Sequence, residues 1–277
     1  MPASETPRAK RHLKVLMKRT LAPLGRLLHR PASDTRILTY HSVGSRPHEM
    51  NVTPEAFREQ IAWLAATQHV ISLEDAAAGI PGVAITLDDG YQDNLVHAAP
   101  VLREFGVRAT VFIVAGRVGG FLDHDVENEN SRLMTWDNLG EWTAQGFEVG
   151  AHTMTHRRLA RLAPDEQHFE VSECKCLLEK HLGRPVQAFA YPFGSAADYS
   201  EASVSLARES GYSLAVSNRY GPVLPDSDRF TLRRIWIDAT DSLDSYKAKV
   251  TGALDMLALF DTRIGLATRR ILNRTLR

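Results

Sequence analysis

The chain has 277 residues, of which 44% are hydrophobic and 24% charged, an ordinary balance for a soluble globular protein with a sizeable core. The formal net charge is zero, so the whole chain offers no electrostatic case for nucleic acid. The charge is unevenly spread: residues 1–36 hold nine Lys or Arg against Glu5 and Asp34, and Arg263 to Arg277 hold five Arg and no acid.

Residues 10–29 are basic and amphipathic. Leu13, Leu16, Met17, Leu24, Leu27 and Leu28 can share one helical face, and Pro23 is expected to kink or break the helix. The stretch lacks the apolar run of a secretory signal and is too polar to span a membrane. It reads as a segment lying on an anionic membrane surface, a face packed on a partner, or a frayed tail. Together with the basic C-terminal end it leads us to expect a cytoplasmic protein, with peripheral contact at the inner membrane face. Pro31 to Asp34 is a short linker.

Arg36 to Val43 reads as the first strand, with His41 near its end. Thr53 and Pro54 open a helix running to about Ala66. His69 to Leu73 and Val83 to Leu87 read as strands, Gln92 to Phe105 as a helix and Val107 to Val114 as a strongly apolar strand. Gly116 to Ser131 is a long loop of the kind that covers a site. A helix over Thr135 to Gln145 and a strand over Phe147 to Ala151 follow, then a long helix from Pro164 to His181 and a strand from Ala188 to Tyr191. Ser200 to Ser210 (helix), Ser213 to Val216 (strand) and Leu232 to Ile237 (strand) precede helices to the end. Alternating strands and helices mean βα units around a parallel sheet. Cys174 and Cys176 stand two apart in a helix, on nearly opposite sides, and are expected to remain reduced thiols.

Three stretches carry chemistry. Thr86-Leu87-Asp88-Asp89-Gly90 ends a β-branched apolar run in two carboxylates. Ala151-His152-Thr153-Met154-Thr155-His156 places two imidazoles at i and i+4. Phe189-Ala190-Tyr191-Pro192-Phe193-Gly194 is again a strand end. One Asp and a His-x-x-x-His pair make three ligands, the usual number for a catalytic zinc that keeps an open position, and the second Asp is left free as a base.

At these residues the chain resembles the polysaccharide deacetylases, metal-dependent carbohydrate esterases with a NodB-type domain. Asp88 to Gly90 is similar to the family's first motif, His152 to His156 to its second, and Ala190 to Gly194 to a degenerate third. The resemblance spans roughly Arg36 to Ile237 and implies an α/β fold, a distorted and incomplete (β/α)7 barrel. Three parts are expected: a basic amphipathic segment over 1–33, the catalytic domain over 34–240, and basic C-terminal helices over 241–277. The resemblance implies one divalent metal on Asp89, His152 and His156. Zinc suits that set best, and cobalt, nickel or iron bind similar ones. Asp88 is the expected general base, and the backbone N–H of Phe193 the expected oxyanion donor.

The chain departs from the family pattern twice. The family's C-terminal catalytic His is missing, since no histidine follows His181. Some members are rearranged with that strand at the N-terminus, so His41 is the expected general acid. Ala190 stands where the family often has an Arg that orients the base. Arg233 or Arg234 is expected to take its place, because side chains alternate along a strand and one of the two should face inward. Tyr91, Trp136, Tyr191 and Trp236 lie where rings either stack on sugars or pack the rim. His48, His69, His97, His124, His168 and His181 have no partner motif and are expected to be solvated or packed. The leading expectation is a hydrolase removing N-acetyl groups from an amino sugar in a polysaccharide or its precursor. The alternatives are a deacetylase or deformylase of a lipid-linked sugar at the cytoplasmic membrane face, and an inactive carbohydrate-binding barrel.

Overall fold

A computed structural model describes residues 8–28 and 33–261. The expected linker residues 31 and 32 and the end of the chain beyond 261, with its expected basic helices, lie outside the described residues. The chain begins with α1 (Arg8–Leu28), β1 (Thr35–Tyr40), and the short strands β2 (Ser42–Val43) and β3 (Asn51–Val52). Then come α2 (Pro54–Thr67), α3 (Leu73–Ala77), β4 (Gly82–Leu87), α4 (Ala99–Glu104), β5 (Thr110–Ile113), α5 (Trp136–Ala144) and β6 (Glu148–Ala151). The remainder is α6 (Pro164–His168), α7 (Cys174–Leu182), β7 (Ala188–Ala190), α8 (Glu201–Glu209), β8 (Leu214–Tyr220), β9 (Leu232–Trp236) and α9 (Leu243–Val250).

Seven of these strands pair in parallel and close into a barrel in the order β1-β4-β5-β6-β7-β8-β9, while β2 and β3 form a separate parallel pair. Burial on both faces explains why the strands read as near-continuous apolar runs rather than alternating ones. Ile37, Ala84, Phe112, Ala188, Ala190, Val216 and Leu232 pack together as one buried cluster, and a larger cluster lies between strands and helices. The register fixes what meets at the C-terminal mouth. Tyr40 is the partner of Leu87, so His41 and Asp88 leave adjacent strands side by side. Ile113 pairs with Ala151, which sends His152 out at the same level.

Local signals set most boundaries. The Thr53 side chain accepts from Ala56 N and Pro54 sits in the first turn of α2. The strand expected over 69–73 reduces to a single bridge from Val70 to Val83, because Ser72 and Asp75 form a capping box that starts α3 instead. The helix expected from Gln92 opens as a π-helical turn, Asn94–Ala98, before α4. Pro100 lacks the N–H that a regular helix would direct to the carbonyl of Val96. A second π-helical segment, Phe169–Glu173, joins α6 to α7.

The amphipathic N-terminal helix does not break at Pro23, and it packs on its own chain. α1 runs through the proline and lies against α9. Gly25 allows the contact, since a Cβ there would stand 1.7 Å from the carbonyl oxygen of Ala253. Lys18 is buried, and its Nζ donates to Asp238 Oδ1 (3.1 Å), Thr240 Oγ1 (2.8 Å) and Asp241 Oδ1 (2.7 Å). Lys249 donates to the other oxygen of Asp241 at 2.5 Å and to the carbonyl of Trp236 at 2.7 Å. Lys14 pairs with Glu49, in the loop between β2 and β3. These bonds tie α1 to the loop that leaves β9. Replacing Lys18 with Met strands two buried carboxylates with one cation fewer, and should cost about 3 kcal/mol. The loss should show as a lower urea midpoint at unchanged slope, and a midpoint equal to wild type would mean that the network is not holding α1.

Candidate active site

The mouth of the barrel gathers the residues singled out by pattern. Asp89 Oδ1 lies 3.4 Å from His152 Nε2 and 3.2 Å from His156 Nε2, and the three ligand atoms fall within 4.8 Å of one another. Asp89 Oδ1 is buried yet makes no hydrogen bond, an arrangement that suits a shared cation better than a bare contact. The His152 ring is aimed by its other nitrogen, Nδ1, which lies 2.8 Å from the carbonyl oxygen of Ala190. That partner fixes the proton on Nδ1 and leaves Nε2 as a lone-pair donor, the orientation a ligating imidazole needs. Burial pushes the Asp89 carboxyl up, and the two imidazoles more than reverse this, holding it well below the usual carboxylate range. The donor set therefore fits a divalent metal of the zinc class.

Asp88 takes a different partner. Its two oxygens receive Arg234 Nη1 at 2.7 Å and Nη2 at 2.6 Å. Of the two arginines on β9, Arg234 is the one that points inward. It is fully buried, and its remaining N–H groups go to Ser217 O (2.9 Å), Thr86 Oγ1 (3.1 Å) and Asn218 Oδ1 (2.7 Å). Arg233 lies half-buried, with Nη1 3.4 Å from the carbonyl of Tyr220. Burial raises the Asp88 carboxyl, but the charges of Arg234 and then His152 outweigh it, so the group lies below its ordinary value and is ionised at neutral pH. His41 Nε2 is 4.0 Å from Asp88 Oδ2, and its Nδ1 is buried without a partner. Burial lowers the His41 pKa, with Asp89 and then Asp88 offsetting it in part.

Four non-glycine residues among those described have a left-handed φ: Asp89 (74°), Thr153 (66°), His156 (64°) and Phe193 (61°). All four are in the three motifs. Such conformations cost about 1–3 kcal/mol each and persist where the surroundings over-determine them. Within the second motif His156 N donates to Thr153 Oγ1 at 3.0 Å, and further polar contacts come from outside the motifs. Glu170, on the second π-helical segment, accepts from Thr155 N at 2.8 Å and from the Thr155 hydroxyl, bracing the turn between the two histidines. Asn94, on the first, donates to the carbonyl of His41 at 2.8 Å, and Asp93 accepts from Val43 N at 3.1 Å and from the Ser42 hydroxyl. These residues carry no local pattern of their own, and only the adjacency of Asp93 and Asn94 to the first motif marks them.

The aromatic candidates divide. Tyr191 is fully buried, donates to Phe230 O at 3.0 Å and stacks on Tyr199. Trp136 stacks on His181 at 3.9 Å, between α5 and α7. Trp236 packs edge-on against Tyr220 with Lys249 over its ring. Tyr91 is buried, its hydroxyl donating to Asp125 at 2.7 Å while the Arg46 guanidinium lies over its ring. Arg46 also pairs with Asp125 at 2.9 Å, joining the loop after β2 to the long loop after β5. Of the histidines expected to be solvated or packed, His124 is exposed and its ring centre lies 5.4 Å from that of His156.

A polysaccharide deacetylase family model matches residues 76–215, a span that holds Asp88, Asp89, His152, His156 and Phe193. YxkH of Bacillus subtilis, whose name provisionally makes it a polysaccharide deacetylase, is 27% identical over 223 residues, covering 77% of this chain and 75% of its own length. The poly-beta-1,6-N-acetyl-D-glucosamine N-deacetylase of Staphylococcus epidermidis is 22% identical over 207 residues, 70% of this chain and 71% of that one. In structure, the Streptococcus pyogenes deacetylase PplD in complex with acetate superposes with a TM-score of 0.68 at 23% identity, covering 78% of this chain and 97% of that one. IcaB from Ammonifex degensii superposes with a TM-score of 0.65 at 24% identity, covering 79% and 96%. The seven-stranded barrel and the matched motifs make this chain a member of the polysaccharide deacetylase family.

Proposed function

We propose that the chain is a metal-dependent hydrolase that removes N-acetyl groups from an amino sugar within a polysaccharide or its precursor. The observation that carries this reading is the convergence of Asp89, His152 and His156 beside a second carboxylate, Asp88, that belongs to Arg234 instead. The name of the Staphylococcus epidermidis relative supports an N-acetylated amino sugar as the substrate class.

Asp89 Oδ1, His152 Nε2 and His156 Nε2 would hold the cation, zinc by the chemistry of the set. The chemistry supplied by a divalent cation there is Lewis-acid polarisation of the amide carbonyl and a lowered pKa for bound water, towards about 7. Asp88, ionised and held by Arg234, accepts the proton of the attacking water as general base. Arg234 takes the orienting place left empty by Ala190. The backbone N–H of Phe193 donates to the oxyanion. His41 delivers the proton that the leaving nitrogen needs. An imidazole that burial keeps neutral at rest must first take up that proton, and Asp88 Oδ2 at 4.0 Å is near enough for one water to relay it.

Four outcomes test these roles. The wild-type protein should bind one zinc per chain by elemental analysis, and His152→Ala and His156→Ala should each lose it; a variant that keeps full occupancy removes that residue from the ligand set. Acetate release from N-acetylglucosamine oligomers by zinc-loaded protein should disappear in Asp88→Asn. In His41→Ala turnover should fall by about 10²–10⁴-fold with zinc content intact. Full activity in that variant would assign the acid elsewhere. Arg234→Gln should lower turnover through a misoriented Asp88, and normal turnover would leave the arginine a purely structural partner.

A further inference from the structure

We propose that the Phe193 side chain is a sugar-binding platform, held in place by Arg158 and Asp198, that seats a pyranose ring beside the metal-ligand cluster. This deepens the deacetylase reading and rests on it for the class of ligand. None of the aromatic residues that the sequence offered as sugar contacts presents an open ring beside the ligand cluster. Tyr191 and Tyr91 are buried, and Trp136 is covered by His181. Phe193 is 39% exposed, and its ring centre lies 4.9 Å from that of the candidate ligand His156 and 6.5 Å from that of His124. Among the described residues only one other phenylalanine is as open, Phe169, and it lies on the π-helical segment between α6 and α7.

The ring is held where it stands. The turn is pinned to β8, with Asn218 N donating to Gly194 O at 2.9 Å and Gly194 N to Pro192 O at 2.7 Å. Gly194 is required there, because a Cβ would meet Asn218 N at 2.4 Å. Phe193 itself stands in a left-handed conformation, with φ 61°. The Arg158 guanidinium lies over the ring, 3.6 Å from its centre. Arg158 in turn pairs with the buried Asp198, whose Oδ2 also accepts from Ser195 N at 3.0 Å and from the Ser195 hydroxyl at 2.5 Å. Arginine stacks on aromatic rings with its plane pre-organised, so little freedom is lost on packing. Strain, a cation–π contact and a half-buried ion pair thus hold one partly open apolar surface in place. An exposed aromatic next to convergent polar groups marks a ligand contact. The C–H face of a pyranose is the apolar surface that matches it, and an N-acetyl group on the same sugar would then lie towards the cluster.

The test is calorimetric binding of an N-acetylglucosamine pentamer to the zinc-loaded protein in the Asp88→Asn background. Phe193→Ala, which keeps the backbone N–H, should weaken binding about tenfold or more, roughly 1.4 kcal/mol. Phe193→Tyr and Phe193→Trp should stay within about threefold, and Arg158→Gln should fall between. Zinc content and the thermal midpoint of each variant report folding separately. Equal affinity in the Ala variant overturns the platform, as does an equal loss in all three Phe193 variants with zinc retained. A wild-type protein that binds the pentamer but releases no acetate would sink the deacetylase reading, and the platform would still stand if the ring dependence holds. A wild-type protein that does not bind the pentamer at millimolar concentration overturns the platform, whatever its activity on other acetylated compounds.

Discussion

A carboxylate and a guanidinium, both fully buried, face each other inside the mouth of the barrel, and the geometry of the site depends on them. Desolvating two ions costs several kcal/mol each, and the cost is recovered only when every donor and acceptor is used. Arg234 meets that condition. Its five N–H groups go to two oxygens of Asp88, to Thr86, to Asn218 and to the carbonyl of Ser217. One side chain therefore stitches β4, β8 and β9 together while it orients Asp88. Asp88 and Asp89 are neighbours in sequence with opposite assignments, one facing an arginine and the other two imidazoles. The left-handed φ of Asp89 turns the second carboxylate away from the first. A strained backbone residue thus separates the two roles.

The same economy recurs around the mouth. Two of the strained turns are fastened by polar contacts from neighbouring elements: Thr155, next to His156, by Glu170, and the Phe193 turn by Asn218. Two of the supporting groups sit on π-helical segments, where the extra residue per turn re-aims side chains relative to a regular helix. The barrel tolerates strain at its rim because its walls are well satisfied.

The barrel and the ligand cluster were legible because their signals are local. A β-branched run ending in Asp-Asp-Gly, and two histidines four apart, need no knowledge of the rest of the chain. His41 was singled out by resemblance to rearranged family members, and it stands with Nε2 4.0 Å from Asp88 Oδ2. Arg234 was half legible: alternation says that one of the Arg233–Arg234 pair faces inward, but not which. Contacts between distant segments left no trace in pattern, and so Glu170, Asn94 and the Arg46–Tyr91–Asp125 bridge passed unnoticed. The aromatic residues mislead for a related reason. Type and position near a strand end do not reveal burial, and Tyr191 is consumed by the core while Phe193 is held out. Pro23 signalled a break that docking on α9 overrides, since Lys18, Ala22 and Gly25 anchor the helix on its own chain.

The barrel closes where its first strand meets its last, through the pairs Leu38 with Ile235 and Thr39 with Trp236. Asp89, His152 and His156 belong to β4 and β6 and to the turns that follow them, whereas His41 follows β1 and Arg234 comes from β9. The Asp89, His152 and His156 cluster is thus built from contacts of moderate sequence separation. Asp88 and His41 leave the paired strands β4 and β1, and Arg234 alone must reach Asp88 from a strand 146 residues away, the kind of contact that forms late because it carries the largest loop-closure cost. During folding, then, the Asp89, His152 and His156 cluster can assemble before the arginine that holds Asp88 arrives.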